Sequence, residues 1–358
     1  MNEAGKEKRS MDMMLNSLPS RTWNRLGINE SFVTIEDKLE KYTPATAWAG
    51  NTAVFTPFAD KKVWAGFDSG MGKDICSVTG DADIAMVETA EGVQMDEPVR
   101  LDYIYKNEEK AVSRLKLHAA KNSKLSVIMY LTSEGRNDNG MSVIQTEVEA
   151  EEGSKVEIYT VQLLGSGFLC LNDIGGVCED NASVKVTKLE LGAGRLYAGS
   201  QLDLKGRESY FGAEVAYHVR RDELVDMNYV ALHHGKKTNS LMEVNGTIEN
   251  GGRKAFRGTI DFQQGCAGSK GTESENVLLM GDEVVNQTIP LILCKEEDVE
   301  GNHGASIGKL DEKVLFYMSA RGIPEELAQQ IIAQSRVDAI CEKIPDEAIR
   351  TAVHEFEL

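Results

Sequence analysis

From Lys124 to about Cys294, apolar and polar residues alternate in short two-residue rhythms broken by Gly, Asn and Asp. Val156 and Ile158 share one face of such a run, as do Val184 and Val186, Leu189 and Leu191, and Leu202 and Leu204. That spacing puts side chains on one side of a β-strand. Between residues 189 and 260 the strand centres Leu189, Leu202, Val215, Val230, Val244 and Ile260 recur at steps of 13, 13, 15, 14 and 16 residues. Strands of sandwiches recur at about 8–12 residues, so the longer interval is comparable to a coil of a β-solenoid. No strict sequence repeat accompanies it, and on spacing alone a β-helix and an antiparallel sandwich stand equal.

The flanks read differently. Met14, Leu15, Leu18, Trp23 and Leu26 lie at roughly helical spacing interrupted by Pro19 and Gly27, which predicts two short helices between Met11 and Leu26. From Thr52 to Val93, apolar runs such as Ala53 to Phe55 and Lys62 to Ala65 alternate with Gly and Asp clusters, as in brief strands and loops. Glu97 to Lys116 is charged and reads as irregular. After Leu310 the pattern turns helical. Pro324, Glu325 and Glu326 suit a first turn, where a missing amide costs nothing and acidic side chains meet the positive end of the helix dipole. Leu327, Ile331, Ile332 and Ile340 continue that helix as an apolar stripe, and Ile349, Val353 and Phe356 form a second after Pro345. The bland role of this pair is to cap the β-structure; the sharper one is to dock a partner.

The 358 residues, 41% of them hydrophobic, suffice for one large or two ordinary globular domains. With 57 acidic against 39 basic side chains the formal charge is −18, which repels nucleic-acid phosphates and anionic lipid head groups. The basic cluster Lys6, Lys8 and Arg9 sits in a polar leader with no apolar signal-peptide core, and no stretch approaches the length of a membrane span. The expected location is the cytoplasm, with no nucleic-acid or membrane partner. There the six cysteines, Cys76, Cys170, Cys178, Cys266, Cys294 and Cys341, are expected to be mostly reduced.

Catalytic motifs are missing. A P-loop needs Gly-Lys followed by Ser or Thr, whereas Gly72-Lys73, Gly235-Lys236 and Gly308-Lys309 are followed by Asp, Lys and Leu. No Cys-x-x-Cys occurs, so each cysteine defaults to a buried small hydrophobe. His233 and His234 are adjacent, and on a strand they point to opposite faces and cannot share one ion. The carboxylate pair Asp222 and Glu223 keeps a polysaccharide-active β-helix enzyme as a competitor, with a purely structural β-helix as another. Aromatic residues for sugar platforms amount to only 6%.

One segment is specific. It contains Phe256-Arg257-Gly258-Thr259-Ile260, Leu278-Leu279-Met280-Gly281, Thr288-Ile289-Pro290 and Asp298-Val299. His303-Gly304-Ala305, Gly308, Leu310-Asp311, Phe316-Tyr317 and Arg321-Gly322-Ile323 follow in order. This series resembles the C-terminal core of the SufB/SufD family of iron-sulfur cluster assembly proteins, nearer its SufD branch. Leu15-Asn16-Ser17-Leu18-Pro19 followed by Trp23 is similar as well, while residues 40 to 250 match only in general character.

The resemblance implies a mainly β chain, a right-handed parallel β-helix core flanked by N-terminal and C-terminal helical regions. The expected divisions are a helical region over 1–50, an irregular stretch with short strands over 51–123, the β-helix over 124–310 and a helical region over 311–358. It further implies a scaffold without enzymatic activity of its own in a SufBCD-type complex. Its partners there are a SufC-type ABC ATPase and SufB or a second SufB/SufD-like chain, with a homodimer possible in isolation. The ATPase is expected at the C-terminal helices, which makes Leu327, Ile331, Ile332, Ile340, Ile349 and Val353 docking candidates. His303 is the candidate ligand for a transient iron-sulfur cluster at the subunit interface, with Cys266 and Cys294 as weaker ones, and no tightly bound cofactor is expected in the isolated chain. Val284 and Gly304 stand where SufB carries a cysteine and a glutamate, which places the chain on the SufD side.

Overall fold

Alternation of buried and exposed residues is strict enough along the chain to build a two-sheet solenoid, seen in a computed structural model that describes residues 11–22, 24–35, 38–46 and 50–357. Trp23 and the basic cluster Lys6, Lys8 and Arg9 lie outside the described residues. One sheet holds the even strands β6 (Val99–Tyr105), β8 (Lys124–Ser133), β10 (Lys155–Leu163), β12 (Ser183–Glu190), β14 (Tyr210–Val219), β16 (Asn239–Glu249), β18 (Ser269–Met280) and β20 (Val299–Gly308). The other holds the odd strands β5 (Ile84–Thr89), β7 (Lys110–Ala119), β9 (Asn139–Ala150), β11 (Gly167–Cys178), β13 (Arg195–Leu204), β15 (Leu224–His233), β17 (Arg253–Phe262) and β19 (Val285–Cys294). Every pairing among these sixteen strands is parallel and joins strands one full coil apart, as in Lys155 with Lys124 and Lys155 with Ser183. The sequence steps of 13 to 16 residues are therefore half-coils, the distance from a strand in one sheet to the next strand in the other.

The repeat resides in the backbone of one corner. Gly92, Asn122, Gly153, Asn181, Glu208, Lys237 and Gly268 all have φ between 55° and 78° and sit at the same odd-to-even turn of successive coils. The amide of each donates to a carbonyl one coil ahead: Asn122 to Glu152 at 2.9 Å, Gly153 to Asp180 at 2.8 Å, Asn181 to Arg207 at 2.8 Å. Left-handed φ is tolerated best by Gly and Asn, which supply five of the seven corners. Glu208 and Lys237 show that the stacking enforces the turn even on less suited residues.

Inward-facing residues such as Val184, Val186, Phe211, Val215, Met227 and Phe256 fill the space between the sheets. Both outer faces are covered. Over the odd sheet lies the N-terminal segment, with the antiparallel hairpin β1 (Met11–Leu15) and β2 (Ser31–Ile35) and helix α1 (Asp74–Thr79), packed on Val112, Val143, Leu171 and Tyr197. Over the even sheet lie α3 (Glu325–Cys341) and α4 (Glu347–Glu357), preceded by α2 (Glu312–Ser319). No helix among the described residues is long and apolar enough to cross a membrane.

Two expectations need correction. The described residues of 11–26 hold no α-helix: Met13 and Leu15 are buried against Val33 and Ile35 with period two, Asn16 turns the chain at φ 54°, and Asn24–Leu26 makes a 3-10 turn. The N-terminal flank is thus a strand-and-loop cover, tied down where Arg257 Nε donates to Ile28 O at 2.7 Å and its guanidinium pairs with buried Asp226. The solenoid begins near residue 84, since β6 and β7 are full core strands; Val99, Leu101, Tyr103 and Tyr105 point inward while Arg100 and Asp102 pair on the outside. Charge on the outer face concealed that alternation. The C-terminal helices form as the sequence indicates, with Asp311 capping α2 and Asp346 accepting from Ile349 N at 3.0 Å ahead of α4.

Candidate functional site at the last coil

The two ends of the solenoid are built differently. At the first coil the edges are occupied: short β4 (Val54–Thr56) pairs antiparallel with β5, Ala45 bridges Asp102 on β6, and Tyr42 OH bonds the backbone of Ile104. At the last coil β19 and β20 have no strand on their outer edge among the described residues. Along β20 every residue after Val299 is exposed. Three glycines and few apolar side chains in Val-Glu-Gly-Asn-His-Gly-Ala-Ser-Ile-Gly suit an edge, and its unpaired amides and carbonyls offer a ladder for another chain.

His303 lies in the middle of that strand, exposed, in register with Glu273 on β18. The alternation of β18 puts Ser269, Gly271, Glu273, Glu275 and Val277 on the inner face, so His303 continues the interior row at the rim. Beneath it the interior is charged. Glu273 is 2% exposed and its carboxylate crosses to the opposite sheet, where a Cβ on Gly258 would meet Glu273 Cδ at 2.6 Å. Glu275 is ion-paired with the buried ammonium of Lys254 and accepts from Thr288 Oγ1 at 2.5 Å and Tyr217 OH at 3.4 Å. Lys254 Nζ also reaches Gln287 O at 3.2 Å and Thr288 Oγ1 at 3.1 Å.

The ammonium of Lys254 pairs with Glu275, and Glu273 feels it only at longer range. Burial, reinforced by the negative charge of Glu275 and only partly offset by Lys254, pushes Glu273 from 4.5 up to about 8. Burial also lowers Lys254, opposed by its contact with Glu275. At neutral pH Glu273 therefore carries its proton, and the registered neighbour of His303 adds no negative charge beside the imidazole.

The weaker candidates are unequal. Cys294 is exposed at the end of β19, with Sγ 2.9 Å from Glu296 O. Cys266 is buried in the preceding corner, and burial pushes its thiol up. Cys170, Cys178 and Cys341 are buried as expected for small hydrophobes, and Cys76 is half-buried. Val284 lies in the loop joining β18 to β19 and packs partly on the core. His233 points inward between Thr238 and Ser240 while His234 faces out to Asp203, the opposite orientations their adjacency implies. Asp222 and Glu223 form a corner, where Glu223 is buried and accepts from Arg220 N at 2.8 Å. They shape a turn and do not face one another across a groove.

The proposed docking stripe divides. Leu327 and Ile331 are exposed and Ile332 is half-buried, but Ile340, Ile349 and Val353 are buried against Ile128, Val161 and Leu189 of the even sheet. Those three hold the helices to their own chain and are removed from the docking set. Phe316, 76% exposed, and Tyr317 on α2 are further exposed apolar residues of this C-terminal region. Pattern reading also passed over Glu273, Glu275 and Lys254. The signal was available: Glu273 and Glu275 fall on the same period-two face as Val277, and Lys254 on that of Phe256 and Ile260.

The residues of the specific segment thus assemble in β17, β18, β19, β20 and α2, at the uncovered end. A family model described as SUF system FeS cluster assembly, SufBD core domain, matches residues 103–336, from within β6 to within α3. The chain belongs to the SufB/SufD family. SufD of Bacillus subtilis is 22% identical over 273 residues, covering 74% of this chain and 61% of that protein. SufD of Escherichia coli is 28% identical over 163 residues, covering 46% and 38%. SufB of Bacillus subtilis is 23% identical over 210 residues, covering 58% and 45%. The matches span less than two thirds of these SufB/SufD relatives. Within the family the chain is SufD-like at low identity.

Proposed function

We propose that this chain is the SufD-like scaffold subunit of an iron-sulfur cluster assembly complex, pairing through its last coil with SufB or a second SufB/SufD-like chain. The observation that carries the reading is His303 on a fully uncovered edge strand, on the inward-facing row, within the segment specific to the family. A partner strand laid against β20 satisfies that strand's free backbone groups and brings its own thiolates beside the imidazole. The iron-sulfur cluster is cargo. An imidazole nitrogen ligates iron only when unprotonated. Cys294, exposed at the same rim, is a second donor within this reading.

ATP hydrolysis is assigned to a SufC-type ABC ATPase, because this chain carries no P-loop sequence. Phe316, Tyr317, Leu327 and Ile331 form its docking face, next in sequence to the cluster-bearing strand, so movement of the ATPase reaches β20 through residues 309–311. The test is anaerobic purification of the co-expressed complex carrying His303→Ala. Bound iron and acid-labile sulfide should drop several-fold while the subunits still co-purify. Unchanged cluster content in an intact complex rejects the ligand role.

A further inference from the structure

We propose a divalent transition-metal site on the outer face of the odd sheet, formed by His118, Glu149 and Glu151, and separate from the last coil. Glu88, His118 and Glu149 occupy one row across the neighbouring strands β5, β7 and β9, and Glu151 follows two residues on, toward the same face. One donor atom each from His118, Glu149 and Glu151 can be chosen so that all lie within 4.8 Å of one another, and this is the one such group among the described residues. Donors on a single ion at about 2.0–2.2 Å must be no further apart than about 4.4 Å, so small side-chain rotations close the set.

Each donor is already held in place. Glu151 accepts from Lys121 N at 3.0 Å through Oε2, which leaves Oε1 facing His118 Nε2 at 3.1 Å. Glu149 is fixed through Oε2 by Lys116 Nζ at 2.8 Å, and that lysine is itself 3% exposed, leaving the other carboxylate oxygen available. His118 Nδ1 faces Glu88 Oε2 at 3.8 Å. A metal-bound imidazole usually donates its second N–H to a carboxylate, and Glu88 stands where that partner belongs. His218 with Glu249 and His234 with Asp203 repeat the cross-strand His-carboxylate contact elsewhere without forming such a triad.

The donor set is one imidazole and two carboxylates, half-exposed so that water completes the shell. It suits Mn²⁺, Fe²⁺, Co²⁺ or Zn²⁺ and lacks the thiolates of a cluster site. Six strand spacings separate β7 from β19, about 29 Å at 4.8 Å each, so the two sites are read independently.

Mn²⁺ is the probe, because it favours oxygen and nitrogen and ignores the cysteines. The full chain, freed of metal, is titrated with MnCl₂ and free Mn²⁺ is followed by its electron paramagnetic resonance signal. We expect one saturable equivalent, weakened at least tenfold by His118→Gln and by Glu151→Gln, and unchanged by His303→Ala. Circular dichroism of each variant checks that the strands remain. Diffuse, non-saturating uptake by the acidic surface, or saturable binding indifferent to both substitutions in folded variants, overturns the site.

Discussion

Replacing Glu273 by Gln tests the electrostatics of the last coil directly. The folded chain holds the carboxyl proton up to about pH 8, whereas the unfolded chain releases it near the ordinary value of 4.5. A raised folded value means that the native state binds more protons, so this contribution is whole below about 4.5 and is lost as pH rises through 8. The loss is up to about 1.4 kcal/mol per pH unit, and roughly 3 kcal/mol accumulates between pH 5 and pH 8. Glutamine has the shape of the protonated acid and no proton to lose. Glu273→Gln should therefore match the parent chain near pH 5 and exceed it increasingly toward pH 8. Stacked repeats open locally, so the measurement is amide hydrogen exchange in residues 269–280, comparing variant and parent at each pH. A stability difference that stays constant from pH 5 to pH 8 would show that Glu273 does not titrate there, and the account of a protonated Glu273 beside the Lys254–Glu275 pair would fall.

The remaining predictions concern neighbouring contacts. Lys254→Met strands Glu275 in the interior and should cost about 3–5 kcal/mol at neutral pH by urea denaturation, most of it recovered in Lys254→Met/Glu275→Gln; a double variant as weak as the single one contradicts the pairing. Arg257→Ala leaves buried Asp226 without its guanidinium, so the N-terminal cover should loosen at a cost of about 3–5 kcal/mol, seen as faster proteolysis within residues 16–31; an unchanged cleavage pattern refutes the anchor. Leu327→Asp with Ile331→Asp should abolish co-purification with a SufC-type ATPase without lowering thermal stability. Retained binding moves that interface off α3.

The strand-rich centre was legible because period-two alternation survives wherever one face is buried, as at Val184 and Val186. Which architecture it served was not, because Leu189, Leu202 and Val215 mark half-coils that fit a sandwich equally well. The corner residues Asn122, Gly153 and Asn181 carry the coil period in their φ angles, and φ is written in the sequence only where Gly or Asn is chosen. Position 237 is a lysine with φ 57°, and no propensity reveals it. The helical reading of Met14, Leu15 and Leu18 failed because Met13 and Leu15 answer to Val33 and Ile35, partners twenty residues away that local spacing does not see. His303 was singled out as a candidate through its sequence neighbours, yet the charged interior beneath it was missed. Glu273, Glu275 and Lys254 look like ordinary surface charges until the register of β17 and β18 turns them inward.

Cover of the first coil by Tyr42, Ala45 and Val54–Thr56 bears on stoichiometry. A stack of coils with two bare rims would add copies indefinitely and grow into a fibre. On the pairing proposed above, a second chain laid against β19 and β20 takes the barer of the two rims among the described residues, and the covered first coil disfavours further addition.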